Sequence, residues 1–282
     1  MDKARLLASK ASHSSDWLYA LPITACGLRL SGEAIWIAVG LRLALNMCEP
    51  HPCPCGATVT SKGTHGLSCK RSSGRSTRHQ QINDAISRAL RRADIPSTKE
   101  PAGLFRGDEK RPDGLTLVPW QSRHSLTWDV TVVDTLANSY TPTTSVTPCG
   151  AVEAAATRKR AKYAEIIQSH HFVPIVIETL GTINMDGQRF LDSLGDRHSS
   201  VFSDSRETTF LYQSQYTHSN FQFGCLSWYS PSPSRDSYRR LTPEPVFNFL
   251  FNPLDLYYRG CKKTRKPSIE AGIRRNAICY ST

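Results

Sequence analysis

Two apolar segments separated by one helix set the strongest limit on how this chain can fold. Leu126 to Val133 reads as a strand rich in Trp, Thr and Val, and Phe172 to Leu180 is a near-continuous apolar run of the kind buried on both faces of a sheet. Between them, Ala151 to about Ser169 has helical character. A strand–helix–strand crossover demands a parallel pair. A strand through Leu115, a short one through Thr98-Lys99-Glu100 and an amphipathic helix over 76–93 come earlier. The order helix, strand, strand, strand, helix, strand predicts an α/β chain with a mixed sheet flanked by helices.

Each of the two central strands carries one acid where the chain is otherwise apolar. Asp113 sits at a Pro-Asp-Gly turn that enters a Leu-Thr-Leu-Val run, and Asp129 interrupts the Trp, Val and Thr run. A charge there is costly unless it is paired or binds a metal. On the following helix, 100° steps from Val152 give an inward stripe of Val152, Ala155, Ala156, Lys159, Tyr163, Ile166 and Ile167. Lys159 is near the centre of that stripe, Lys162 lies at its margin, and Arg158 and Arg160 flank it. A lysine aimed at a core needs a carboxylate, a phosphate or edge water. Two acids and a lysine make a triad able to hydrolyse a phosphodiester. The carboxylates would hold one or two Mg²⁺ (or Mn²⁺) ions, and the lysine would place water or offset charge on the phosphate oxygens.

The nine cysteines are an odd number and are bunched: Cys48, Cys53, Cys55 and Cys69 fall within 22 residues, beside His51 and His65. That pattern suits a local metal site in a reducing compartment. Structural zinc takes four Cys or His ligands on short loops. The best set is Cys53, Cys55, His65 and Cys69, with Gly56, Gly63 and Gly66 for the turns; the tight Cys-x-Cys start leaves Cys48 or His51 open as a substitute ligand.

The net charge of +11 and a pI of about 9.3 favour an anionic partner, nucleic acid first. Lys70, Arg71, Arg75, Arg78, Arg111, Arg158 and Arg160 are the cations expected to meet it. The most apolar run, Ala34 to Leu45, contains Arg42 and is too short to span a bilayer. With no signal peptide in sight, the expected location is nuclear or cytoplasmic. Ser31-Gly32-Glu33 can begin a helix with Ile35, Val39, Leu41 and Leu45 on its apolar face, and further helices are expected from Asp186 to about Leu194 and around Phe210-Leu211-Tyr212. His79 shares the apolar side of the 76–93 helix and reads as a satisfied core group. Residues 214–282 are rich in Ser, Tyr, Phe, Pro and Asn, hold 10 Lys/Arg against 4 Asp/Glu, and are expected to be poorly ordered. They include the run Lys262-Lys263-Thr264-Arg265-Lys266, read as a solvated charge run, a phosphate patch or a nuclear signal.

The order and spacing of these motifs resemble the PD-(D/E)XK, or restriction-endonuclease-like, nucleases. The likeness is closest to the C-terminal region of non-LTR retrotransposon polyproteins, where a Cys-Cys-His-Cys knuckle precedes such a nuclease. It rests on Cys-Pro-Cys-Gly…His-Gly-Leu-Ser-Cys-Lys (53–70), Arg-His-Gln-Gln-Ile-Asn-Asp (78–84), Lys-Arg-Pro-Asp-Gly-Leu-Thr-Leu (110–117), Trp-Asp-Val-Thr-Val (128–132), Arg-Lys-Arg-Ala-Lys-Tyr (158–163) and Glu-Thr-Leu-Gly (178–181). The resemblance implies an αβββαβ core and Mg²⁺-dependent nicking of target DNA to prime reverse transcription, with the element's RNA as a second nucleic-acid partner. It matches Asp113 to the Pro-Asp acid and Asp129 to the second acid. Thr131 stands where the family's lysine often lies, and the resemblance implies a lysine displaced to the next helix, Lys159 or Lys162. Four regions are expected: a helical remnant of an upstream polymerase over 1–47, the zinc knuckle and basic linker over 48–75, the nuclease over 76–213, and the basic tail over 214–282. The other reading is a non-catalytic, zinc-dependent nucleic-acid-binding fragment of a decayed element.

Overall fold

The computed structural model describes residues 1–20, 29–72, 74–104 and 111–202, the side chains of Arg75 and Phe202 excepted. All of them fall in one unit, Met1–Ser230. The expected helix at 210–212, the tail over 214–282 with its Lys262–Lys266 run, and Lys110 lie outside the described residues.

Four strands form a mixed sheet in the order β3 (Ser97–Lys99), β4 (Gly114–Gln121), β5 (His124–Val133), β6 (His171–Glu178). The first three run antiparallel, and β5 and β6 are parallel, with Asp129 opposite Pro174. This is the mixed α/β sheet expected from the crossover. Side-chain alternation along β5 separates two faces. Leu126, Trp128 and Val130 join Ile82, Ile86 and Leu90 of α3 (Gly74–Arg92) and Phe190, Leu191 and Leu194 of α7 (Met185–Phe202) in the main core. Val133 and Val176 turn the other way, onto Val152, Ala155 and Ala156 of α5 (Gly150–Lys162), which follows the single-turn α4 (Thr141–Thr144). Asp129 shares the parity of Val133 and therefore faces α5.

The helix expected over 151–169 is broken. Tyr163, at φ −107° and ψ 24°, ends α5 and begins the short α6 (Ala164–Ile167), so Ile167 leaves the stripe and is exposed. α7 runs well beyond Leu194. Its polar last turns pack because the Arg197 guanidinium lies 4.0 Å from the Trp120 ring centroid and the buried His198 is 2.6 Å from the Ala89 carbonyl. The polar first residues carry α1 (Asp2–Lys10). Ser31 does cap α2 (Gly32–Leu43), accepting from Ala34 N at 3.1 Å. The buried side of α2 is Ile37, Ala38, Gly40 and Leu41, whereas Leu45 is exposed. Arg42 donates to the Leu180 carbonyl at 3.2 Å and covers Trp17, and burial lowers its pKa to about 10. Ala38 of α2 joins the sheet's core, whereas Ala4 and Ala8 of α1 pack with Ile37, Leu41 and Leu180 in a second cluster; no helix among the described residues is long and apolar enough to cross a membrane.

Pro112-Asp113-Gly114 bends at Asp113 into β4, and the glycine is there for space. A Cβ on Gly114 would overlap the Trp128 ring, which is held by an Nε1–H donated to Asn83 Oδ1 at 2.8 Å. Gly114→Ala should cost about 2–3 kcal/mol through overpacking, read as a lower urea midpoint at unchanged m-value. Glu178, at the end of β6, is 1% exposed with neither carboxylate oxygen in a directional hydrogen bond. Burial raises its pKa above the ordinary carboxylate value, partly offset by Thr135, Thr182 and the Val152 amide nearby. The native state therefore keeps this proton where the unfolded chain loses it, and stability falls as pH rises from about 4.3 through the raised value. Glu178→Gln should flatten that part of a stability–pH profile; an unchanged slope would show that Glu178 is not its source.

Candidate functional site

The acids meet because of strand register. Gly114 pairs with Trp128, and Asp113 N donates to the Trp128 carbonyl at 2.9 Å, so Asp113 lies beside the strand that carries Asp129. Val130 N donates to Asp113 Oδ2 at 2.6 Å. Helix α3 supplies the other supports: His79 Nε2 lies 3.0 Å from the same oxygen, and Asn83 Nδ2 donates to the Asp113 carbonyl at 3.3 Å. The hydrogen bond to Asp113 raises the His79 pKa; partial burial and the charge of Lys159 oppose this, and the charges of Asp113 and Asp129 assist it. His79, Asp113, Asp129 and Lys159 form one electrostatic cluster.

Asp129 is the buried member, at 3% exposure. Lys159 Nζ lies 2.5 Å from its Oδ2 as an ion pair, an oxygen in no directional hydrogen bond. Tyr163 donates its hydroxyl to Oδ1 at 2.6 Å. Lys162 does not join this ion pair; it donates to the Tyr163 oxygen at 3.0 Å and sits 4.6 Å from that ring's centroid. Burial first, then the hydrogen bond and charge of Asp129, push the Tyr163 pKa far above the usual phenol value, so the hydroxyl keeps its proton. The helical stripe placed Lys159 correctly because α5 stays regular until Tyr163. Three further polar groups reach the acids: His79, Asn83 and Tyr163. By pattern His79 reads as a core histidine, Asn83 lies in the 78–84 motif with no contact assigned to it, and Tyr163 falls on the apolar stripe. The i, i+4 spacing of His79 and Asn83 is the signal that puts both on one face of α3.

The cysteine cluster closes on the expected set. The ligand atoms of Cys53, Cys55, His65 and Cys69 all lie within 4.8 Å of one another, a group able to bind a metal such as zinc. Cys53 Sγ and Cys69 Sγ are 3.7 Å apart, and Cys55 Sγ is 3.2 Å from His65 Nε2. Tetrahedral zinc with Zn–S bonds of about 2.3 Å sets ligand sulfurs about 3.8 Å apart. Cys53 and Cys55 come from the turn between β1 (His51–Pro52) and β2 (Thr58–Val59), where Gly56 takes φ +90°. His65 begins the turn that returns to Cys69, entered through Gly63 at φ +65°. Cys48 and His51 are not in the set: the Cys48 thiol meets the Thr60 carbonyl at 3.3 Å, and His51 Nδ1 lies 2.7 Å from the Glu49 carbonyl.

Of the expected phosphate contacts, Lys70, Arg71 and Arg111 are exposed. Arg78 is a correction. It is 3% exposed and donates to the Leu67 carbonyl at 2.8 Å, so it clamps the knuckle to α3 and offers no surface to a phosphate. Arg158 pairs with the Tyr140 hydroxyl and Arg160 with Asp186. The Arg75 side chain lies outside the described residues. No protein-family model matches the chain, and no curated protein matches it.

Metal analysis of purified protein should give about one zinc per chain, lost on replacing His65 and Cys69 together by Ala. The same double replacement should lower the thermal midpoint, since Arg78 then clamps a loop with no fixed shape. Metal-free wild-type protein would remove the zinc assignment.

Proposed function

We propose that the chain is a restriction-endonuclease-like, Mg²⁺-dependent DNA endonuclease of a non-LTR retrotransposon, nicking target DNA so that the released 3′-hydroxyl primes reverse transcription. The observation that carries this reading is Lys159 on the buried Asp129, with Asp113 beside it at the entry to the adjacent strand. The αβββαβ order of α3, β3, β4, β5, α5 and β6 agrees with it. The donors suit a hard cation. Asp129 Oδ2 is buried without a directional hydrogen bond, and Mg²⁺ is commonly held by one or two carboxylates plus water and substrate oxygens. Asp113 and Asp129 would hold it, and when bound it supplies charge neutralisation at the phosphate and a more acidic water. Lys159 pairs with Asp129 inside the fold and brings a cation to where phosphate charge builds. His79 and the Val130 amide hold Asp113 in place. The knuckle and the exposed Lys70, Arg71 and Arg111 supply the grip on nucleic acid.

A second reading has a specific observation in its favour. Among the described residues, only the Cys53, Cys55, His65 and Cys69 set gathers three or more His, Cys or acidic ligands, while Lys159 already neutralises Asp129. On this reading the chain is a zinc-dependent nucleic-acid binder without cleavage.

Supercoiled plasmid separates the two. The nuclease should nick it with Mg²⁺ and not with EDTA, and Asp113→Ala, Asp129→Ala and Lys159→Ala should each slow nicking at least about 10²-fold, Lys162→Ala much less. Nicking that survives both aspartate substitutions would sink the proposal. DNA retention with a steep salt dependence and no Mg²⁺-dependent nicking would establish the binding reading instead.

A further inference from the structure

Tyr163 holds more acceptors than it has protons. Its hydroxyl is 2.6 Å from Asp129 Oδ1 and 2.9 Å from the Arg111 carbonyl oxygen, while Lys162 Nζ donates into it from 3.0 Å. A phenol has one proton, so it serves one of those two acceptors at a time. The ring is fully buried and packs on Phe172 with centroids 4.9 Å apart, which fixes everything except the torsion of the O–H. In the cation-free protein the choice is clear. A carboxylate is the stronger acceptor, so the proton goes to Asp129.

The second acceptor belongs to the other acid. Arg111 is followed by Pro112 and then Asp113, and Pro112 is buried with φ restricted by its ring. A hydrogen bond that grips the Arg111 carbonyl therefore grips the entry to Asp113 through a stiff link. Tyr163 also sits at the break between α5 and α6, so Lys159 and this hydroxyl reach Asp129 from one turn of the same helix.

We propose that Tyr163 is a positioning residue whose hydroxyl passes from Asp129 to the Arg111 carbonyl when a divalent cation shares the Asp129 carboxylate, so that cation binding fastens the Asp113 segment. This rests on the reading of Asp113 and Asp129 as a cation site. A bound cation drains charge from the carboxylate and makes it a poorer acceptor, while the carbonyl is unchanged. The best acceptor then changes with no movement of the ring. The exchange has a cost, since a charge-assisted hydrogen bond is given up for a neutral one. Removing the hydroxyl should remove that cost, and cation affinity should rise. It should also remove the tie between the two acid-bearing segments, and turnover should fall. A merely structural tyrosine predicts a different pattern, in which affinity and turnover weaken together.

The test uses the full chain with its zinc retained and Mn²⁺ as the probe, with bound Mn²⁺ counted by loss of the free-ion EPR signal, without DNA. Wild type should bind Mn²⁺ at a site abolished by Asp129→Ala. Tyr163→Phe, which keeps the ring on Phe172, should bind it about five-fold more tightly, the ratio expected between losing a charged and a neutral hydrogen bond. In plasmid nicking, the same variant should show a correspondingly lower Mn²⁺ half-saturation and a saturating rate reduced about ten-fold. Unchanged or weaker Mn²⁺ binding by a folded Tyr163→Phe protein, beside normal wild-type binding, overturns the role of Tyr163 alone. If wild type binds no Mn²⁺ at Asp129, the cation-site reading falls and takes this inference with it. Far-UV circular dichroism and zinc content establish that the variant is folded before either comparison.

Discussion

Asp129 is a carboxylate placed in the central strand of the sheet, where an unpaired charge would cost several kcal/mol. Much of the surrounding arrangement can be understood as its compensation. Lys159 meets one oxygen at 2.5 Å and Tyr163 the other at 2.6 Å, both from the end of α5. For two side chains four residues apart to reach one carboxylate, the helix must lie over β5 with that turn above Asp129. The small residues Ala151, Ala155 and Ala156 allow that close approach, and they pack on Val133 and Val176. Replacing only one partner of such a group is more damaging than the pair is stabilising, because the remaining charge stays buried.

On the opposite face of the sheet, α3 does a comparable task for Asp113. Successive positions near its amino-terminal end point to different neighbours. Arg78 clamps the Leu67 carbonyl in the knuckle, His79 reaches Asp113, and Asn83 joins the Trp128 indole to the Asp113 backbone. The helix is thus a shared beam between the cysteine cluster and the acids. The indole explains in turn why residue 114 is glycine, since the ring fills the space a side chain would need. Core packing and the geometry of the acids are one problem here: shifting Trp128 would shift the backbone oxygen that receives the Asp113 amide.

The legible parts of this protein were those encoded over short distances or by periodicity. The crossover from Leu126 to Leu180 required a parallel pair, and the sheet has it. The spacing of Cys53, Cys55, His65 and Cys69, with glycines between, favoured these four, and the fold gathers them while leaving the alternatives Cys48 and His51 outside the set. The stripe from Val152 identified Lys159. Failures came where a residue's partner is remote. Arg78 read as a phosphate contact because its charge is visible in sequence and the Leu67 carbonyl that absorbs it is not. The α7 helix read as ending at about Leu194 because Asp196, Arg197 and His198 look polar until Trp120 and the Ala89 carbonyl are placed against them.

The sequence by itself determined the order of the sheet's elements, the preferred Cys/His cluster and the two acids set in apolar runs, because periodicity, ligand spacing and the cost of a charge in an apolar run are local properties. Periodicity favoured Lys159 over Lys162, but only the folded backbone pairs Lys159 with Asp129 and turns Lys162 onto the Tyr163 hydroxyl, through the break at Tyr163 and the position of β5. Tertiary structure also decided that the Tyr163 hydroxyl stands between Asp129 and the Arg111 carbonyl. Those contacts join residues 34 and 52 positions apart in the chain, and only the folded backbone fixes such distances.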